Sequence, residues 1–117
     1  MKKAIFISIF LLLNIYLYSQ IVDIKRQDAY FLGKLEYTTY PKNLSVSINS
    51  HEISFSNGMY YLVTERMKES SSYEKWYKVY HNGTYWVIVI RRYDLSITRD
   101  WEGEEMNVFI FKERIKL

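Results

Sequence analysis

From residue 43 to residue 111 apolar and polar side chains alternate in short runs, each interrupted by residues that favour turns. No stretch places apolar residues at the three-to-four spacing of an amphipathic helix. Two-residue turn signals stand at Asn49-Ser50, Asn57-Gly58 and Asn82-Gly83. Asn-Gly suits the type I′ hairpin turn, whose two central residues both take positive φ. The pattern predicts an all-β fold, an antiparallel up-and-down meander of about seven or eight short strands forming a small barrel or half-barrel.

The turns also assign faces, because opposed residues of a hairpin share a side of the sheet. Tight turns at the first two signals collect Leu44, Val46, Ile48, Ile53, Phe55, Tyr60 and Leu62 on one side. Ser45, Ser47, Glu52, Ser54 and Ser56 fall on the other. A one-residue slip would exchange the two sets. Asn82-Gly83 sets Tyr77 against Ile88 and Val79 against Trp86, and a turn at Tyr93-Asp94 sets Ile90 against Ile97. The core side of this half then holds Tyr77, Val79, Trp86, Ile88, Ile90, Leu95 and Ile97. Its opposite side holds Trp76, Tyr80, Tyr85, Val87 and Val89, which is also apolar. A sheet apolar on both sides needs a cover on the second. The sequence offers the N-terminal segment 21–35, the C-terminal strand 106–111 or another chain, and 21–35 has no other evident burial site. Before residue 43 the pattern reads as one strand, Tyr30 to Thr38, bent at Gly33 and ended by Pro41. The polar run Arg66 to Ser72 reads as a loose loop, and Lys112 to Leu117 as a solvated strand end.

The first 19 residues stand apart. Lys2 and Lys3 precede an apolar run, Ala4 to Leu13, which continues past Asn14 to Leu17 before the small residue Ser19. That succession is a secretory signal, too short and interrupted for the roughly 20 apolar residues of a membrane span. The domain organisation is a signal peptide at 1–19 and one β-domain at 20–117. The protein is then exported, to the periplasm or beyond, without a stable membrane anchor. Of the 16 Lys and Arg, Lys2 and Lys3 leave with the signal, so 14 face 13 Asp and Glu and the net charge falls from +3 to +1. No clustered basic surface of the kind that binds nucleic acid remains. A hydrophobic fraction of 49% excludes intrinsic disorder. The absence of cysteine excludes disulfides, thiolate metal sites and a thiol nucleophile.

Candidate chemistry is sparse. The acidic loop with Asp100, Glu102, Glu104 and Glu105 has carboxylates for a hard cation but lacks the spaced ligands of a calcium loop. His51 and His81 stand at separate turns. Nothing arranges a nucleophile, base and orienting group together, and no phosphate-binding or hydrolase motif occurs. The expectation is a protein that is not an enzyme and uses no cofactor or metal. One constellation stands out: Lys75, Tyr77 and Arg99 project to the core side, where a buried charge needs water, a partner or a ligand. Held together inside a barrel they would bind a carboxylate or other anion, while at the sheet's ends they would reach solvent.

The exported leader, the hairpin meander from Leu44 to Phe111 and the aromatic later strands together resemble the lipocalin-like, calycin-type small β-barrels. Typical lipocalins carry an early Gly-x-Trp signature, whereas Trp76, Trp86 and Trp101 are all late, so the resemblance is one of architecture. It implies a small barrel, and the short mature chain suits a filled mini-barrel or a half-barrel completed by dimerisation as well as one that holds a small molecule. Two functional classes follow. One is a non-catalytic binding module for a small amphipathic or anionic ligand, with Lys75, Tyr77 and Arg99 as ligand-binding residues. The other is a structural or protein-interaction module, acting through Trp76, Tyr80, Tyr85, Val87 and Val89 on a protein partner or as a homodimer.

Export is tested by N-terminal sequencing and intact mass of secreted material. The expected chain starts at Gln20, and full-length protein retained in the membrane would contradict the signal.

Overall fold

The computed structural model describes residues 20–99 and 104–117. The segment 1–19, expected to be a signal, and most of the acidic loop lie outside these residues. Nine antiparallel strands follow in chain order: β1 (Gln20–Phe31), β2 (Lys34–Thr39), β3 (Ser45–Ile48), β4 (Glu52–Phe55), β5 (Tyr60–Arg66), β6 (Lys75–His81), β7 (Thr84–Ile90), β8 (Asp94–Arg99) and β9 (Glu105–Phe111). No helix occurs among the described residues. Each strand from β3 to β9 pairs with the next, and β9 returns to β1, which closes the sheet within one chain. The half-barrel alternative is thereby set aside.

β1 makes the closure. One edge pairs with β9 from Ile24 to Phe31. The other pairs with β3 from Gln20 to Asp23 and with β2 from Gln27 to Phe31. β2 and β3 lie in tandem along that edge, so the wall is an eight-stranded antiparallel barrel. Such a barrel has an interior just wide enough for side chains or one small ligand. Ile24, Val46, Ile53, Val79, Ile88, Ile90 and Leu95 fill its middle and are fully buried. Each stabilises the fold by about 1.5–3 kcal/mol relative to exposure.

The third hairpin matches its sequence reading. Asn82 and Gly83 take φ of 48° and 76°, and Tyr77 opposes Ile88 while Val79 opposes Trp86. Two other turns differ by two residues. At the first, Asn49 Oδ1 accepts hydrogen bonds from the His51 and Glu52 amides, widening the loop so that Ile48 opposes Ile53. At the fourth, Arg92-Tyr93 is the turn and Ile90 opposes Leu95 instead of Ile97. An even displacement leaves every side chain on its face, so Val46, Ile48, Ile53, Phe55, Leu95 and Ile97 still point inward. At Asn57-Gly58 the displacement is odd. Gly58 has φ 96° and the Phe55 amide donates to the Met59 carbonyl, giving a three-residue loop. Ile53 therefore opposes Tyr61, and Tyr61 and Val63 enter the core while Tyr60 and Leu62 face solvent.

The N-terminal region is a hairpin instead of one bent strand. Leu32 and Gly33 form its turn at φ 50° and 79°, and β2 folds back on β1. A bulge at Lys25 shifts β1 against β9. Val22 and Ile24 face inward before it, and Gln27 after it, opposite Phe109. The extra residue turns Arg26 and Asp28 to the outer side, where they pair at 3.2 Å. The C-terminal segment is no solvated strand end: Ile115 joins the core, and its amide donates to the Arg92 carbonyl at 2.8 Å.

The second apolar face is covered by the chain, though by a different segment from the N-terminal one. Another bulge, at Thr64 in β5, reverses the alternation again. Met67 thus emerges on the outer side and forms a second buried cluster with Val87 and Val89, against which Trp76 packs. The polar run that reads as a loose loop is the cover. Ser70 Oγ accepts from the Trp76 amide and donates to its carbonyl, and Ser71 Oγ accepts from the Tyr73 and Glu74 amides. Glu74 accepts from Trp76 Nε1 at 3.2 Å and from Arg91 Nε at 2.9 Å.

Val87 is 4% exposed beneath this flap. Val87→Lys would bury an ammonium without a partner. Equilibrium unfolding should show a monomer destabilised by about 3 kcal/mol or more, and unchanged stability would mean that the flap does not cover this face.

Candidate functional site

The barrel interior is not completely filled. At the end that carries the β4–β5 and β6–β7 turns a cavity of about 430 Å³ opens between the walls. Its apolar surface is a sequence of rings, one from each of five strands. Phe109 lies 4.8 Å from Phe55, Phe55 6.3 Å from Tyr61, Tyr61 4.4 Å from His81, and His81 6.5 Å from Trp86, all between ring centroids. Ile97 contributes the aliphatic part. The ring spacings are those of offset and edge-on aromatic contacts. Local geometry explains who is there: the odd displacement at Asn57-Gly58 brings Tyr61 inward, and the type I′ turn places His81 at the mouth.

The polar groups have a common character. Gln27 Nε2 donates to Asn107 Oδ1 at 3.1 Å, and the Met59 amide donates to Asn57 Oδ1 at 3.1 Å. The Asn107 and Asn57 side-chain oxygens thus each accept one hydrogen bond. His81 Nδ1 lies 2.8 Å from the Tyr60 carbonyl. A carbonyl only accepts, so Nδ1 carries the proton and Nε2 is the ring nitrogen left for other partners. Burial pushes the Tyr61 hydroxyl above the ordinary tyrosine range, so it stays protonated. Trp86 Nε1 is buried and has no hydrogen-bond partner among the described residues. Arg99 lies directly across from Trp86 on β8 and also lines the cavity. No Asp or Glu does.

The structure divides the anion-binding trio. Lys75 opposes Ile90 near one end of β7, and Arg99 opposes Trp86 near the other. The four residue steps between Trp86 and Ile90 span about 13 Å of strand. Lys75 and Tyr77 instead line a smaller cavity of about 240 Å³ at the end plugged by Ile115. There Lys75 Nζ donates to the Ser71 carbonyl at 2.9 Å. Of the three, only Arg99 meets the larger cavity. Of the other lining residues, Phe55, Trp86 and Ile97 already stand on the core side that the sequence predicts, whereas Tyr61 was hidden because its inward direction depends on the length of the β4–β5 loop.

The outer aromatic face is divided as well. Val87 and Val89 are buried under Met67, with Trp76 packed beside them. Tyr80 and Tyr85 stay 39% and 48% exposed and meet edge-on at 5.2 Å, with Lys78 Nζ 4.8 Å from the Tyr85 ring centre. Among the described residues no group of three or more acidic or histidine side chains is placed to hold a metal ion. Comparison with protein-family models, with curated proteins and with solved structures returns no match to the chain.

Proposed function

We propose that the protein is an exported, non-catalytic, lipocalin-like carrier that takes a small amphipathic or anionic molecule into the larger cavity. The observation that carries this reading is the cavity itself. At about 430 Å³ it exceeds the roughly 300 Å³ at which small-molecule pockets begin. It combines an apolar wall with a few convergent polar groups, as such pockets do. Arg99 without a carboxylate beside it among the lining residues favours a negative or acceptor-rich guest. A second reading, an interaction module, has support from the exposed row Leu62, Tyr80 and Tyr85 across three adjacent strands. The intramolecular cover over Val87 and Val89 removes half of the surface that reading requires.

Native mass spectrometry of secreted protein, with titration by the anionic fluorophore anilinonaphthalene sulfonate, tests the carrier. One saturable equivalent per monomer is expected. Asn107 lines the cavity, so Asn107→Phe should fill part of it and weaken binding about tenfold or more, with the thermal midpoint nearly unchanged. Absent saturable binding, or binding indifferent to the added ring, would overturn the reading.

A further inference from the structure

The geometry points to a ligand of one class, a planar aromatic ring system bearing a single carboxylate, seated with the carboxylate between Arg99 and Trp86 Nε1. This inference rests on the carrier reading and specifies its guest. The polar half of the site is set by its donors. Trp86 and Arg99 are cross-strand partners, so their side chains stand next to each other on the inner wall. One offers a buried N–H with no acceptor, and the other a guanidinium fork whose geometry matches a carboxylate. The two lining amide oxygens with assigned partners already accept from Gln27 Nε2 and the Met59 amide. Among the described residues Trp86 Nε1 has no acceptor, and a carboxylate would supply one oxygen to it and one to Arg99.

The apolar half concerns shape. Beyond this pair the wall is formed by Phe109, Phe55, Tyr61 and His81, successive rings inclined to one another by 44°, 74° and 32°. A flat guest can present its edge to one ring and its face to the next, contacts that add to simple burial. A flexible alkyl chain gains the burial alone and gives up rotamer freedom. Arg99 itself is exposed, so the acid group sits at the mouth and the ring body points inward, which also keeps the charge in contact with water.

The test uses four probes on the secreted protein by calorimetry: 2-naphthoate, 2-naphthalenemethanol, 2-naphthylmethylamine and decanoate. Naphthoate should bind about tenfold or more tightly than the neutral alcohol, and the amine more weakly still. Arg99→Gln should narrow the difference between acid and alcohol, chiefly by weakening the acid. Trp86→Phe should weaken naphthoate more than the alcohol, since it removes the N–H as well as part of the ring wall. High salt should narrow the gap, because Arg99 is exposed to screening. Equal binding of acid and alcohol would overturn the carboxylate assignment and leave the carrier reading standing. Decanoate binding as tightly as naphthoate would overturn the aromatic body. Failure of every probe, together with failure of the fluorophore, would overturn both.

Discussion

Everything in this molecule depends on β1 being paired along both of its edges. Its length, twice that of β2 or β8, lets it meet β9 on one side while β2 and β3 succeed each other on the other. Without the β1–β9 ladder the meander would be an open sheet with two exposed edges, a template for aggregation or pairing with another chain. With it, the apolar inner faces of eight strands enclose one core. The same closure fixes the diameter, and an eight-stranded circumference leaves room for little more than side chains and one small guest. The cavity is the part of that room which Phe55, Phe109 and Tyr61 line without filling.

Three bulges or widened loops decide which side chains reach that space. An extra residue at Lys25 turns Gln27 inward and sends Arg26 and Asp28 out to form an ion pair. One at Thr64 moves Met67 to the outside, where it seals Val87 and Val89. The three-residue loop at Asn57 exchanges Tyr60 and Leu62 for Tyr61 and Val63. Each is a local event with a global effect, because side chains alternate with period two and a single inserted residue reverses all that follow.

This parity rule also explains what was legible in the sequence. Fold class, strand direction and the inner face of β6, β7 and β8 could be read, since Asn82-Gly83 has the turn chemistry its hairpin demands. Turns misjudged by two residues, at Asn49 and at Arg92-Tyr93, cost nothing in face assignment. The turn misjudged by one, at Asn57, cost the most, and it hid Tyr61 from any list of site residues. The β1–β2 hairpin was illegible for another reason. Leu32 adopts positive φ while 66% exposed, a conformation normally left to Asn, Asp or Gly, so its turn carries half of the usual signal. Arg99 was legible as an inward cation; that Lys75 belongs to the opposite end of the barrel required the strand lengths.

Closure within one chain around a ligand-sized space is read straight from cross-strand nuclear Overhauser contacts in the monomer. Backbone contacts are expected between Gln27 and Phe109 and between Ala29 and Asn107, the register in which β1 meets β9. They should appear together with contacts from the Tyr61 ring to His81 across the cavity wall. A monomer that lacked the β1–β9 contacts, or showed them only between chains in a mixed-label sample, would contradict closure within one chain.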